Sequence, residues 1–77
     1  MNQGFPSREQ VERLRRQYPK GIRIRLISTD DPYTRLMQGD RASVIGVDDA
    51  GQMMLAWDNG SSLSLIPGID QFEKTEE

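Results

Sequence analysis

Apolar residues recur along this chain with two different periods. Val11, Leu14 and Tyr18 fall at i, i+3 and i+7 among Glu and Arg, which predicts an amphipathic helix over about 7 to 18 with one narrow apolar stripe. Ser7 precedes the stripe and Gln10 stands three residues on, the pattern of a capping box. Pro19 disfavours helical geometry at Tyr18, and Gly21 follows, so the helix ends there. From residue 21 the period drops to two. Ile22, Ile24 and Leu26 alternate with Arg23 and Arg25 as a first strand. Residues 40 to 48, DRASVIGVD, read as a second, with Val44 inward and Gly46 as a bulge that turns Val47 to the core. After the turn Asp49-Ala50-Gly51, Met53, Leu55 and Trp57 alternate as a third strand. Leu63 and Leu65 alternate with Ser62 and Ser64 as a fourth. Asp58-Asn59-Gly60 between them predicts a hairpin that sets Trp57 and Leu63 over one core. Pro67-Gly68 stops the fourth strand, Ile69 and Phe72 supply a short fifth, and residues 74 to 77 read as a frayed charged tail.

These elements predict one mainly β domain over residues 1 to 77, α+β by content. An N-terminal helix is followed by a small five-stranded antiparallel SH3-like barrel over about 22 to 73. Gly46, Trp57, Asn59, Gly60 and Pro67 are its expected structural residues. Residues 28 to 39 show no periodicity, and a loop of that length in a compact domain is commonly functional.

Two resemblances follow from these blocks. Residues 39 to 57, GDRASVIGVDDAGQMMLAW, resemble the KOW-type hairpin of several SH3-like barrels, with Ala42 where that motif usually has glycine. Over residues 7 to 72 the chain resembles a family of small, uncharacterised bacterial and phage-associated proteins. The blocks PSREQVERLRRQYPKG, RLISTDDPY and WDNGSSLSLIPGID carry that resemblance. It implies a helix followed by a small barrel, and it brings no assigned activity with it.

Composition narrows the function. A chain of 77 residues buries only a little over ~60% of its unfolded surface, so nothing large can be enclosed. Cysteine and histidine are absent, which removes disulfides, thiolate metal sites and the commonest general base. No apolar run approaches the length of a membrane span and the first 21 residues carry charges throughout, so a cytoplasmic protein without a membrane partner is expected. Residues 1 to 41 hold nine bases against five acids, a balance of +4. Residues 42 to 77 hold one base against seven acids, a balance of −6. Such a split is either a basic contact face or two halves whose charges interleave in space.

For chemistry, the carboxylates Asp30, Asp31, Asp48, Asp49 and Asp58 all lie beside turn residues, where aspartate caps its own backbone. No nucleotide-binding glycine loop and no calcium-loop spacing occurs. The expectation is therefore a non-enzymatic binding module without metal or cofactor, monomeric or a weak dimer. A protein or peptide partner is favoured, contacted by Tyr33, Arg35, Leu36 and Met37 of the long loop, since aromatic, Met and Arg side chains suit interface centres. The alternative is nucleic-acid binding by Arg13, Arg16, Arg23, Arg25 and Arg41, with Tyr33 or Tyr18 available to stack on bases.

Overall fold

A computed structural model describes residues 6–29 and 35–75. The first element is helix α1, Arg8–Gln17. Its start is fixed as the sequence indicates. The Ser7 hydroxyl accepts from the Gln10 amide at 3.2 Å, and the Gln10 side chain accepts from the Ser7 amide at 2.8 Å. Two of the first-turn N–H groups that a helix leaves without partners are thereby satisfied. At the other end the Tyr18 N–H closes on the Leu14 carbonyl at 2.8 Å before Pro19 turns the chain. Val11 is buried, and Leu14 and Tyr18 are half-buried against the core.

Four strands follow: β1 Arg23–Ser28, β2 Arg41–Val47, β3 Met53–Trp57 and β4 Gln71–Thr75. They form one antiparallel sheet in the order β3-β2-β1-β4. The two-residue alternation is realised on its inner face. Ile24, Ala42 and Trp57 stand side by side across three strands, and Leu26, Val44, Leu55 and Met53 complete the buried layer. The ladder between β2 and β3 shifts register between Val44 and Gly46. Ile45 faces solvent in the ordinary alternation, and the shift brings Val47 to the buried face in place of residue 46, as expected of a bulge at Gly46.

Two sequence expectations need correction. The sheet has four strands among the described residues, not five, and it is open, with β3 and β4 at its edges. The expected SH3-like closure is not formed by these pairings. The missing strand is the Ser-Leu alternation of residues 61 to 65, which makes one isolated bridge, Met53 to Leu65. The physical reason lies in the strand order. The chain leaves β3 at one edge and must reach β4 at the other, and a segment crossing the sheet's width cannot stay in register with one neighbour. Ser61 also turns its hydroxyl to the Leu63 amide at 3.4 Å, a local bond that competes with ladder pairing. The alternation still has a role, because Leu65 is fully buried and Leu63 half-buried. The Asp58-Asn59-Gly60 turn forms, with the Gly60 N–H on the Trp57 carbonyl at 2.9 Å and Gly60 at φ +88°. It opens this crossover instead of a hairpin. The second correction is at the C-terminus. Lys74 and Thr75 belong to β4, and only residues 76 and 77 of the expected tail lie outside the described residues.

Candidate partner-binding surface

The outer face of the sheet carries the arginines of the nucleic-acid alternative. Because β1 buries Ile24 and Leu26, its pleat must turn Arg23 and Arg25 outward. Neither is left as an open cation. Arg23 grips Asp58 with both guanidinium nitrogens, at 2.8 and 2.6 Å, and donates to the Ser43 hydroxyl at 3.1 Å. The Arg23 hydrogen bond holds the Asp58 carboxyl below its ordinary value of 3.8, opposed by some desolvation and helped by the charges of Arg23 and Arg41. Arg25 pairs with Glu73 on β4. Arg41 lies opposite Arg25 across β1 and β2, half-buried and with its field felt at Asp58. On the helix, Arg15 donates to the Val47 carbonyl at 3.0 Å and to Asp49 at 2.9 Å, clamping α1 to the turn after β2. Arg8 pairs with Glu12 one turn along. Arg13 and Arg16 of the predicted patch are exposed and make no ion pair among the described residues. The structure thus splits the expected five-arginine patch: three are tied into the sheet's outer face, and two stand on the helix.

The turn aspartates are occupied as well. Asp48 accepts from the amides of Ala50 and Gln52 at 3.0 and 2.9 Å. Asp49 and Asp58 are taken by Arg15 and Arg23. Among the described residues no three acidic side chains come together in a way that could hold a metal ion. Asp30 and Asp31 lie outside the described residues. Tyr18, considered as a base-stacking platform, packs edge-to-face on Phe72 at 5.4 Å with the Lys74 ammonium 5.1 Å from its ring centre. Its ring is committed to the helix–sheet contact.

The loop splits in the same way. Tyr33 lies outside the described residues. Leu36, expected at the partner surface, is only 7% exposed and belongs to the core. It packs in the same cluster as the inner-face residues of the sheet. Arg35 is exposed, and Met37 is 72% exposed. The backbone of Met37 is held by Asp40, whose carboxylate accepts the Met37 N–H at 2.9 Å and whose N–H reaches the Met37 carbonyl at 3.0 Å. Beside this turn lies a groove of about 350 Å³ lined by Arg25, Leu26, Ile27, Gln38, Gly39 and Glu73. Ile27, at the outward end of β1, is also exposed.

Sequence reasoning missed a second groove, of about 270 Å³, between α1 and the turn before β4, lined by Pro6, Gln10, Arg13, Leu14, Gln17 and Pro67. Ile66 and Ile69, on the same turn as Pro67, are exposed at 38% and 59%. The turn itself is fixed by Asp70, a buried carboxylate that accepts from the Ile66 amide at 2.8 Å and the Thr29 hydroxyl at 3.0 Å. The signal in the sequence is the pair of isoleucines, Ile66 and Ile69, that bracket Pro67-Gly68, of which the periodicity assigns only Ile69, to a strand.

No helix among the described residues is long and apolar enough to cross a membrane. Neither the curated proteins nor the solved structures contain a match to this chain. A family model does match, over residues 7–75. With nearly the whole chain covered, the protein belongs to the family described as Domain of unknown function (DUF4314).

Proposed function

We propose that this chain is a non-catalytic module that binds a protein or peptide partner at the loop end of its sheet. The observation that carries this reading is the solvent exposure of Met37 beside the groove walled by Ile27 and the Arg25–Glu73 pair. A flexible thioether and a branched aliphatic flanking a polar rim suit the centre and border of a protein interface. The groove's ion pair gives an incoming backbone or polar side chain both a donor and an acceptor. The reading as non-catalytic rests on the engagement of Asp48, Asp49 and Asp58 in turns and ion pairs, which leaves them ill placed to move protons. Pairing of Arg23 and Arg25 with acids favours a protein partner over nucleic acid, because a phosphate would have to displace Asp58 and Glu73.

The test is selection from a displayed random-peptide library, followed by amide NMR titration of the labelled domain. Selected peptides should shift Ile27, Met37 and Gln38, hold their affinity between ~50 and ~200 mM salt, and be lost in Met37→Glu. If instead short DNA or RNA shifts Arg13, Arg16 and Arg23 and the shifts vanish at the higher salt, the nucleic-acid alternative takes its place.

A further inference from the structure

We propose that the groove between α1 and Pro67 is a second docking site, fitted to an acidic peptide that carries an apolar anchor residue. This goes beyond the loop-end reading, uses different residues, and stands or falls separately. The groove has an apolar lining in Pro6, Leu14 and Pro67, with the amides of Gln10 and Gln17 at its rim. At about 270 Å³ it falls just below the roughly 300–1,000 Å³ of small-molecule pockets, a size suited to an inserted side chain. The exposed Ile66 and Ile69 extend apolar surface around the same turn.

That surface is held in place before any partner arrives. Asp70 fixes the Ile66 amide with one carboxylate oxygen and the Thr29 hydroxyl with the other. The amides of Ile69 and Asp70 close on the Ile66 carbonyl at 3.0 and 2.9 Å. A preorganised turn spares the ordering cost of binding.

Charge selects the partner. Helix α1 carries four arginines, and two of them, Arg8 and Arg15, pair with Glu12 and Asp49. The other two, Arg13 and Arg16, are three residues apart on neighbouring turns, exposed, and make no ion pair among the described residues. Arg13 lines the groove itself. A carboxylate-bearing chain laid along α1 would meet both guanidinium groups while its apolar residue enters beside Leu14. Nucleic acid is the less fitting anion, since among the described residues no exposed aromatic borders the groove to stack on a base.

The experiment is fluorescence anisotropy with a short labelled peptide of glutamates around a central leucine. Its controls are the same peptide with lysine for glutamate, the same with glycine for leucine, and a labelled single-stranded oligonucleotide. Binding by the glutamate–leucine peptide is expected, weakened on the order of tenfold or more in Arg13→Glu/Arg16→Glu and by removal of the leucine. Ile69→Ser, an exposed position, should weaken it without unfolding the domain, and Met37→Glu should leave it unchanged. Absence of binding, or binding indifferent to Arg13→Glu/Arg16→Glu, overturns the site. Tighter binding of the oligonucleotide than of the peptide overturns the choice of partner. Loss of peptide binding in Met37→Glu alone moves the interaction to the loop end, sinking this site and leaving the loop-end reading intact.

Discussion

At residue 51 the chain holds a glycine for two reasons at once, and residue 60 separates them. Gly51 lies at φ +82°, and a Cβ added there would stand 2.6 Å from Cγ of Pro6, the residue that leads into α1. Gly60 has nearly the same backbone, φ +88°, with nothing within 4 Å of an added Cβ. Gly60→Ala should therefore cost only the left-handed conformation, about 1–2 kcal/mol. Gly51→Ala should cost that and more, because Pro6 must give way and it is joined to Ser7, the helix cap. Chemical denaturation followed by Trp57 fluorescence compares the two, and equal losses would mean that Pro6 does not pack on the turn as described. Asp58 gives a prediction of a different kind. Its carboxyl is held below 3.8 chiefly by the Arg23 hydrogen bond, so its folded-state pKa lies under its unfolded value. The stability it contributes is present above that unfolded value and is lost as pH falls through the lower folded one. With the Asp58 side chain 55% exposed, the contribution is screened and small. Asp58→Asn should flatten the acid limb of a stability–pH profile below about pH 4 by lowering the neutral plateau slightly toward the acid level, the acid end itself staying where it is. A variant profile parallel to the parent's through that range would show that Asp58 does not titrate against Arg23.

Elements differ in how they are anchored, and this decides which of them a sequence can announce. Helix α1 is specified locally. Its cap, its apolar stripe and its Pro-Gly stop are all within reach of one another, and all were legible. Ser7→Ala should cost about 1 kcal/mol, and the loss should be largely restored by Ser7→Asp, which also places a negative charge at the helix N-terminus. A melt unmoved by Ser7→Ala would mean that α1 is held by its tertiary contacts, the Arg15 clamp and the packing of Val11, Leu14 and Tyr18, and not by its cap. Strands β1 to β3 were legible because each buries alternate residues, and the bulge because Gly46 breaks that alternation at a place where two apolar residues follow each other's phase. Residues 61 to 65 misled because alternation reports which side chains are buried and not what their backbone pairs with. Leu65 is as buried as any strand residue, yet it lies in a crossover whose course depends on where β4 pairs, some distance along the chain. β4 was placed too early for the same reason. Its ladder with β1 runs to Thr75 through charged positions that look like tail, and Lys74 occupies the inner side by laying its stem toward Tyr18 and resting its ammonium on the ring.

The whole molecule resolves the charge asymmetry of its two halves by pairing them. Among the described residues each long-range ion pair, Arg15 with Asp49, Arg23 with Asp58 and Arg25 with Glu73, joins a base from residues 1 to 41 to an acid from residues 42 to 77. This is why the arginine patch read from the sequence does not survive as one surface: periodicity placed Arg23 and Arg25 on the outer face correctly, but it could not show which acids the strand order would bring beside them. The loop residues divide on the same terms, since composition marks Leu36 and Met37 alike and only packing sends one to the core and the other to solvent. The pairing at Arg25 has a consequence for stability. Across β1 this arginine faces Arg41 on one side and Glu73 on the other, so Glu73 offsets a like-charge neighbour as well as making a bridge. Both side chains are more than two-fifths exposed, which limits the pair to ~0.2–1 kcal/mol. A double-mutant cycle should then show Glu73→Ala destabilising, and Arg25→Ala on that background recovering part of the loss by removing the charge left opposite Arg41. The coupling should shrink as salt shortens the Debye length toward ~3 Å near 1 M. A coupling that persists at high salt would mean that packing of the arginine stem against β4, and not charge, holds this edge of the sheet.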